Sequence, residues 1–128
     1  MQNYFFLDTG KRFVKIQLSD ILYIETCGDY VSVVTHNGKH ITTTTLQKFE
    51  SVLPPDKFCR VHRSVIVSLQ HIESFRSENL VIRNKTFPIS LRYAKAFRQK
   101  VLVVTGVPGK NRRVPEEMEI NKWEVARG

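Results

Sequence analysis

The sequence has no apolar run that approaches the ~20 residues of a membrane-spanning helix. Its first residues, MQNYFFLDTG, lack the basic flank and the apolar segment of a signal peptide. Only two cysteines are present, Cys27 and Cys59, which fits free thiols that serve as small packing residues in a reducing compartment. We therefore expect a cytoplasmic domain that forms its core without disulfides and has no membrane partner.

Acidic residues are scarce in one part of the chain. The 128 residues carry a formal net charge of +8, yet residues 1–56 hold five Lys or Arg against six Asp or Glu. Residues 57–100 hold ten Lys or Arg and only two acids, Glu73 and Glu78. Because a concentrated excess of positive charge indicates a polyanionic partner, nucleic acid is the first candidate and an anionic membrane surface the second.

Motifs for catalysis and for metal binding are also missing. There is no Gly-rich phosphate loop, no nucleophile elbow and no conspicuous pair of carboxylates. Ser64 follows His62 closely, but no third, orienting acid is evident. His36 and His40 are expected on opposite faces of a hairpin, and Cys59-x-x-His62 lacks the second ligand pair of a structural zinc site. We therefore predict a protein that is not an enzyme and that uses no metal and no cofactor.

The first hundred residues resemble a series of short strands. RFVKIQL and SDILYIET have strand periodicity, and SVIVSL, HIESF and NLVIR indicate further strands. YVSVVTHNGKHITTTT is typical of a hairpin with a two-residue loop formed by Asn37 and Gly38. Turns are expected at residues 77–79 and 83–85. The pattern predicts an all-β fold.

Two segments, near residues 45–53 and 90–101, have helical periodicity instead. Thr45 and Ser90 are the expected N-caps, and free N–H groups after Ser90 could bind phosphate. The apolar faces would be Leu46, Phe49, Val52 and Leu53 in the first helix and Leu91, Ala94, Phe97 and Val101 in the second. Because Gly, Pro and charge dominate afterwards, we predict a domain over residues 3–103 and an extended or flexible tail over 104–128.

Four motifs follow one another over residues 3–101: DILYIETCGDYVSVVTHNG, LQKFESVLP, FCRVHRSVIVSLQHIESF and FPISLRYAKAFRQ. In this order and spacing they resemble the LytTR DNA-binding domain, the output domain of many bacterial two-component response regulators. The resemblance implies an elongated, mainly antiparallel all-β fold of short sheets with one or two short helices. It also implies sequence-specific binding of double-stranded DNA, by loops that enter successive major grooves, in transcription regulation.

The same resemblance implies three groups of DNA-contacting residues: the CGDY loop, the VHRS turn and the start of the ISLRYAK helix. We expect Arg63 and Arg92 to reach base edges and Ser90 and Lys95 to lie near phosphate. With these, the candidate DNA-binding residues are Asp29, Tyr30, Lys57, Arg60, His62, Arg63, Ser64, Lys85, Ser90, Arg92 and Lys95. The implied partners are paired direct repeats in DNA, a second copy bound as a homodimer, an upstream receiver domain and a sensor histidine kinase.

Asp29 departs from the family pattern, in which many members have Asn. A carboxylate only accepts hydrogen bonds and is repelled by phosphate, so Asp29 either accepts from a cytosine amino group or shapes its loop; we favour the second role. The alternative function is a non-specific polyanion-binding module, for RNA or an acidic surface, or a protein-binding module. Phe58, Phe75, Phe87 and Phe97 recur with core residues and are interpreted as packing, which argues against base stacking on RNA.

Overall fold

The computed structural model describes residues 2–106 and contains ten strands and two α-helices within them. The strands are β1 (Tyr4–Asp8), β2 (Phe13–Gln17), β3 (Ile21–Cys27), β4 (Tyr30–Thr35), β5 (Gly38–Thr42), β6 (Phe58–His62), β7 (Val65–Ser68), β8 (Ser74–Phe75), β9 (Asn79–Ile82) and β10 (Lys85–Pro88). The helices are α1 (Leu46–Val52) and α2 (Leu91–Lys100). The predicted all-β architecture with two short helices is confirmed. Most of the predicted tail, residues 107–128, lies outside the described residues.

All of the strand pairs are antiparallel, and they form three sheets. The largest sheet has the order β5-β4-β3-β7-β6, the second has β10-β9-β8, and β1 pairs only with β2. Strand β7, with the sequence VIVS, is buried at every position because both faces of the large sheet are covered. Its continuous apolar run is therefore the pattern expected of a central strand.

Two cores lie on opposite faces of the five-stranded sheet. The first forms under the β1–β2 hairpin and α1, where Leu7 and Ile16 of the hairpin meet Phe49 of the helix. The second forms under the small β8–β10 sheet and α2 and contains the fully buried Phe87 and Phe97. Phe58 is also buried and Phe75 is partly buried, so the interpretation of the four phenylalanines as packing residues is confirmed.

Helix α1 begins as the sequence predicts. The Thr45 hydroxyl accepts a hydrogen bond from the Lys48 N–H at 3.1 Å, which is the N-cap contact that satisfies an otherwise free donor. Leu46 and Phe49 are buried, but Val52 is 59% exposed, so its placement on the apolar face was wrong. The helix ends at that residue, and the following Leu53 is buried in the core, as predicted.

Helix α2 follows Ser90, whose side chain makes no capping hydrogen bond. Phe97 is buried on the second core, with Ala94 and Val101 partly buried beside it. Leu91 is 95% exposed, contrary to its predicted place on the apolar face. Leu91 is the first residue of the helix and lies outside the core. Only the later residues of α2 cover that core. Neither α1 nor α2 has the length and apolar character needed to cross a bilayer.

The hairpin between β4 and β5 forms, but the predicted loop is wrong by one residue. Thr35 pairs with Gly38, so the two turn residues are His36 and Asn37. The Thr35 hydroxyl donates to the Gly38 carbonyl at 3.0 Å and accepts from the Asn37 N–H at 3.2 Å. These bonds close the turn one residue early, and Gly38 adopts a φ of +134°, which favours glycine.

Candidate nucleic-acid interface

Two turns lie side by side at one end of the five-stranded sheet. Gly28-Asp29 joins β3 to β4, and Arg63-Ser64 joins β6 to β7. The Thr26 N–H donates to the Ser64 carbonyl at 3.0 Å, which links the two turns directly. We call this the Arg63 end of the sheet; the opposite end, where β4 turns into β5, is the His36 end.

Helix α2 begins at the same end. The Ser90 N–H donates to the Val61 carbonyl at 2.9 Å, while the Lys100 ammonium donates to the Phe58 carbonyl at 3.1 Å. The helix therefore runs antiparallel to β6, with its N-terminus at the Arg63 end. The structure thus brings together the three groups that were expected to contact DNA.

Arg60 is held by protein contacts and does not project freely. Its guanidinium forms an ion pair with Glu50 at 2.8 Å and donates to the carbonyls of His62, at 3.4 Å, and of Arg63. Its side chain is only 20% exposed. The predicted VHRS turn is shorter than expected, because its first two residues, Val61 and His62, belong to the edge strand β6 and only Arg63 and Ser64 form the turn. Arg60 lies within that strand and fastens the turn that follows it.

His62 and Ser64 also interact across this turn. The His62 Nδ1 accepts from the Ser64 N–H at 3.1 Å and lies 2.8 Å from the Ser64 hydroxyl. Because Nδ1 is the acceptor, the neutral ring carries its proton on Nε2 and can donate from there. Between them, the Arg63 side chain is exposed and makes no hydrogen bond or ion pair with the described residues.

Tyr93 supports two arginines at the start of α2. The centroid of its ring lies 5.7 Å from the Arg60 guanidinium carbon and 5.6 Å from that of Arg92, distances at which cations attract an aromatic face. Arg92 and Lys95 are exposed, and Ser90 is partly exposed. The first turn of α2 therefore offers cations beside helix N–H groups that the Ser90 hydroxyl does not satisfy.

Asp29 and Tyr30 are exposed at the Arg63 end, Tyr30 by 53%. The favoured loop-shaping role of Asp29 was wrong, because its carboxylate makes no hydrogen bond within residues 2–106. Gly28 shapes the turn instead, with a φ of +62° that residues other than glycine rarely adopt. The carboxylate of Asp29 is therefore left to face outward.

One sequence candidate lies at the opposite end of the sheet, and another is committed to an ion pair. Lys57 precedes β6 and so lies at the His36 end, roughly 17 Å from the Arg63 turn for a five-residue strand. Lys85 starts β10 and forms an ion pair with Glu25 at 3.0 Å, above the Tyr23 ring. Although burial lowers the pKa of Lys85, the hydrogen bond and charge of Glu25 outweigh that effect and raise it.

Sequence reasoning missed a depression where β5 is followed by α1. Thr43, Thr44 and Gln47 line a shallow depression together with Asp29 and Tyr30, because β5 ends beside the start of β4. A run of four threonines before a helix is the only local signal, and it indicates a cap rather than a contact surface. Among residues 2–106, no three His, Cys, Asp or Glu side chains lie together as a possible metal site.

The sequence matches a known family and several known proteins. Residues 11–102 match the family model described as the LytTr DNA-binding domain. The chain is 30% identical over 99 residues to the sensory transduction protein LytT of Bacillus subtilis, covering 73% of this chain and 41% of LytT. It is 32% identical over 97 residues to the transcriptional regulatory protein BtsR of Escherichia coli, covering 70% of this chain and 39% of BtsR.

A solved structure is similar as well. The LytTr DNA-binding domain of a Bacillus cereus response regulator superposes with a TM-score of 0.67 at 29% identity, over 78% of this chain and 97% of that domain. The likeness therefore extends over nearly the whole of a solved domain, whereas the chain spans about two-fifths of the length of LytT and BtsR.

Proposed function

Because the chain belongs to the LytTR DNA-binding domain family, we propose that it binds double-stranded DNA sequence-specifically through the Arg63 end of its sheet and thereby regulates transcription. The observation that carries this proposal is the convergence of the Gly28-Asp29 turn, the Arg63-Ser64 turn and the start of α2 at one end of a rigid sheet. Loops that project from a packed scaffold suit recognition, because the scaffold fixes their positions before binding.

Arg63 is the proposed base reader. It is exposed, and its turn is fixed on both sides by the Arg60 contacts and by the His62–Ser64 contacts. A guanidinium held in this way suits bidentate contact with the O6 and N7 of guanine, a contact worth about 1–3 kcal/mol against a wrong base. Arg92 would read a second position, and the Asp29 carboxylate could accept from a cytosine amino group.

Phosphate contacts would supply affinity and register. Lys95, the Ser90 hydroxyl and the free N–H groups at the start of α2 are the proposed donors, because helix N-termini favour anions. Each turn would then enter a major groove on one face of the duplex, and two copies would occupy paired direct repeats. The relatives named as a sensory transduction protein and a transcriptional regulatory protein support a role in signal-dependent transcription. In the proposed function, that signal comes from a sensor histidine kinase through an upstream receiver domain.

The test is selection of genomic fragments by the purified domain at about 0.15 M salt, where purely electrostatic binding is strongly weakened. We expect enrichment of fragments that share a short repeated motif. Replacement of Arg63 by Ala should flatten the preference at one position of that motif and weaken cognate binding by about 1–3 kcal/mol, with little change on scrambled DNA.

Fragments without a common motif would contradict the proposal and favour the alternative, a non-specific polyanion-binding module. Equal losses by the Arg63 variant on cognate and scrambled duplexes would contradict only the base-reading role of Arg63. Urea denaturation of the variant provides the folding control, since an exposed turn side chain should change the unfolding free energy by less than about 0.5 kcal/mol.

A further inference from the structure

The β1–β2 hairpin crosses one face of the large sheet from end to end. Its open end lies at the His36 end, where Asn3 and Leu18 line a depression together with Lys57. Its turn lies at the other end, because the Thr42 hydroxyl, on the last residue of β5, donates to the Asp8 carbonyl at 2.9 Å. The turn at residues 9–12 therefore lies at the Arg63 end, beside the outer strand β5.

This turn is fixed by its own hydrogen bonds. The Asp8 carboxylate accepts from the Gly10 N–H at 2.8 Å, and Gly10 has a φ of +89°. The Thr9 N–H and hydroxyl both donate to the Arg12 carbonyl, at 3.0 and 3.1 Å. Lys11 and Arg12 are exposed, and neither side chain makes a hydrogen bond, ion pair or ring contact with the described residues. A rigid turn thus holds two uncommitted cations.

We propose that Lys11 and Arg12 form a fourth DNA-contacting group, which binds backbone phosphates on one flank of the site that Arg63 reads. This inference rests on the proposed function. The distance across the sheet from β5 to the turn between β6 and β7 is three to four strand spacings, or roughly 14–19 Å. If the row of turns follows the duplex axis, that distance corresponds to about four to six base pairs at 3.4 Å each.

The chemistry of this group predicts how it acts. Lys11 and Arg12 lie at an outer edge of the row of turns, where side chains meet the backbone of the flanking duplex. They should therefore increase affinity for every sequence alike, because phosphate contacts carry no direct sequence information. If each neutralises one phosphate, removing both should reduce the magnitude of the salt slope of log affinity by about 1.8.

The experiment measures binding of the Lys11→Ala/Arg12→Ala variant to cognate and scrambled duplexes between 50 and 200 mM salt. The ratio of wild-type affinity to variant affinity should fall roughly 12-fold as salt rises from 50 to 200 mM. This fall should be the same on both duplexes. Lys39→Ala is the matched control, because Lys39 is an exposed cation on β5, the strand beside the hairpin turn, but lies at the opposite, His36 end of that strand. It should leave the salt slope unchanged.

Shortened duplexes locate the contact. Cutting base pairs from one flank of the cognate site should abolish the difference between wild type and the double variant, whereas cutting from the other flank should preserve it. The inference is overturned if the double variant keeps the salt slope of wild type, or if Lys39→Ala loses as much affinity per charge as the double variant does. The proposed function survives either result as long as the wild type still selects a sequence motif. A wild type that selects no sequence would overturn the proposed function itself.

Discussion

Arg60 should stabilise the fold and orient the Arg63 turn without touching DNA. Four contacts disappear in Arg60→Ala: the ion pair with Glu50, the hydrogen bonds to the carbonyls of His62 and Arg63, and the cation–π contact with Tyr93. The charge-assisted hydrogen bond to the Arg63 carbonyl contributes about 1.5–3 kcal/mol, and the longer one to His62 adds less. The partly exposed ion pair contributes at most about 1 kcal/mol, and the ring contact about 0.5–1 kcal/mol. Because these contributions overlap, we expect a loss of about 2–4 kcal/mol of unfolding free energy.

Two measurements separate this role of Arg60 from direct contact with phosphate. Urea denaturation gives the stability loss, and the salt dependence of DNA binding gives the number of phosphates released. A residue that only orients the turn should weaken cognate binding and leave the salt slope unchanged. A residue that contacts phosphate should reduce the slope by about 0.9.

Glu50→Gln is the matched control, because it removes the ion pair with Arg60 and keeps the other three contacts. It should lower the unfolding free energy by less than about 1 kcal/mol, since the Glu50 side chain is 43% exposed. The reasoning is refuted if Arg60→Ala is as stable as wild type and its salt slope falls by about 0.9. Arg60 would then be a DNA contact, as the sequence alone suggested.

Two further predictions concern stability. Ser32 is 1% exposed, and its hydroxyl has no hydrogen-bond partner within the described residues. Ser32→Ala should therefore raise the unfolding free energy, measured by urea denaturation, by about 1 kcal/mol. A decrease of that size would show that the hydroxyl has a hydrogen-bond partner. The ion pair with Glu25 raises the pKa of Lys85 in the folded protein above its ordinary value of 10.5. The contribution of Lys85 to folding stability is therefore complete below pH 10.5 and is lost as the pH rises through the pKa of the folded state. Glu25→Gln should therefore flatten the decline in thermal stability at alkaline pH, and an unchanged alkaline profile would contradict the ion pair.

Features set by neighbouring residues could be predicted from the sequence. The start of α1 follows from Thr45 and the apolar spacing of Leu46 and Phe49, all within one helical turn. The burial of β7 follows from an uninterrupted apolar run. The β4–β5 loop was missed by one residue because a single hydroxyl, on Thr35, outweighs the preference of Asn-Gly for the turn centre.

The candidate site was only half predictable, because the roles of its arginines depend on distant residues. Arg60 and Arg63 stand three positions apart in the same basic cluster, and nothing local distinguishes them. Glu50 lies on α1 and Tyr93 on α2, and both contact Arg60. Arg63 occupies the turn and stays free. The resemblance to a family supplied the three groups of candidate residues, while the difference between the paired Arg60 and the free Arg63 needed the fold.

The charge excess of residues 57–100 indicated a polyanion partner, but the cations of that segment do not act as one surface. Lys85 is paired with Glu25, and Lys100 donates to a backbone carbonyl at the His36 end. Lys11 lies outside the segment, in a part of the chain with no net excess of positive charge, yet the hairpin carries it to the Arg63 end. For the proposed function, the relevant charge is therefore the set of uncommitted cations at the Arg63 end of the sheet. Antiparallel pairing assembles that set from turns that lie far apart in sequence.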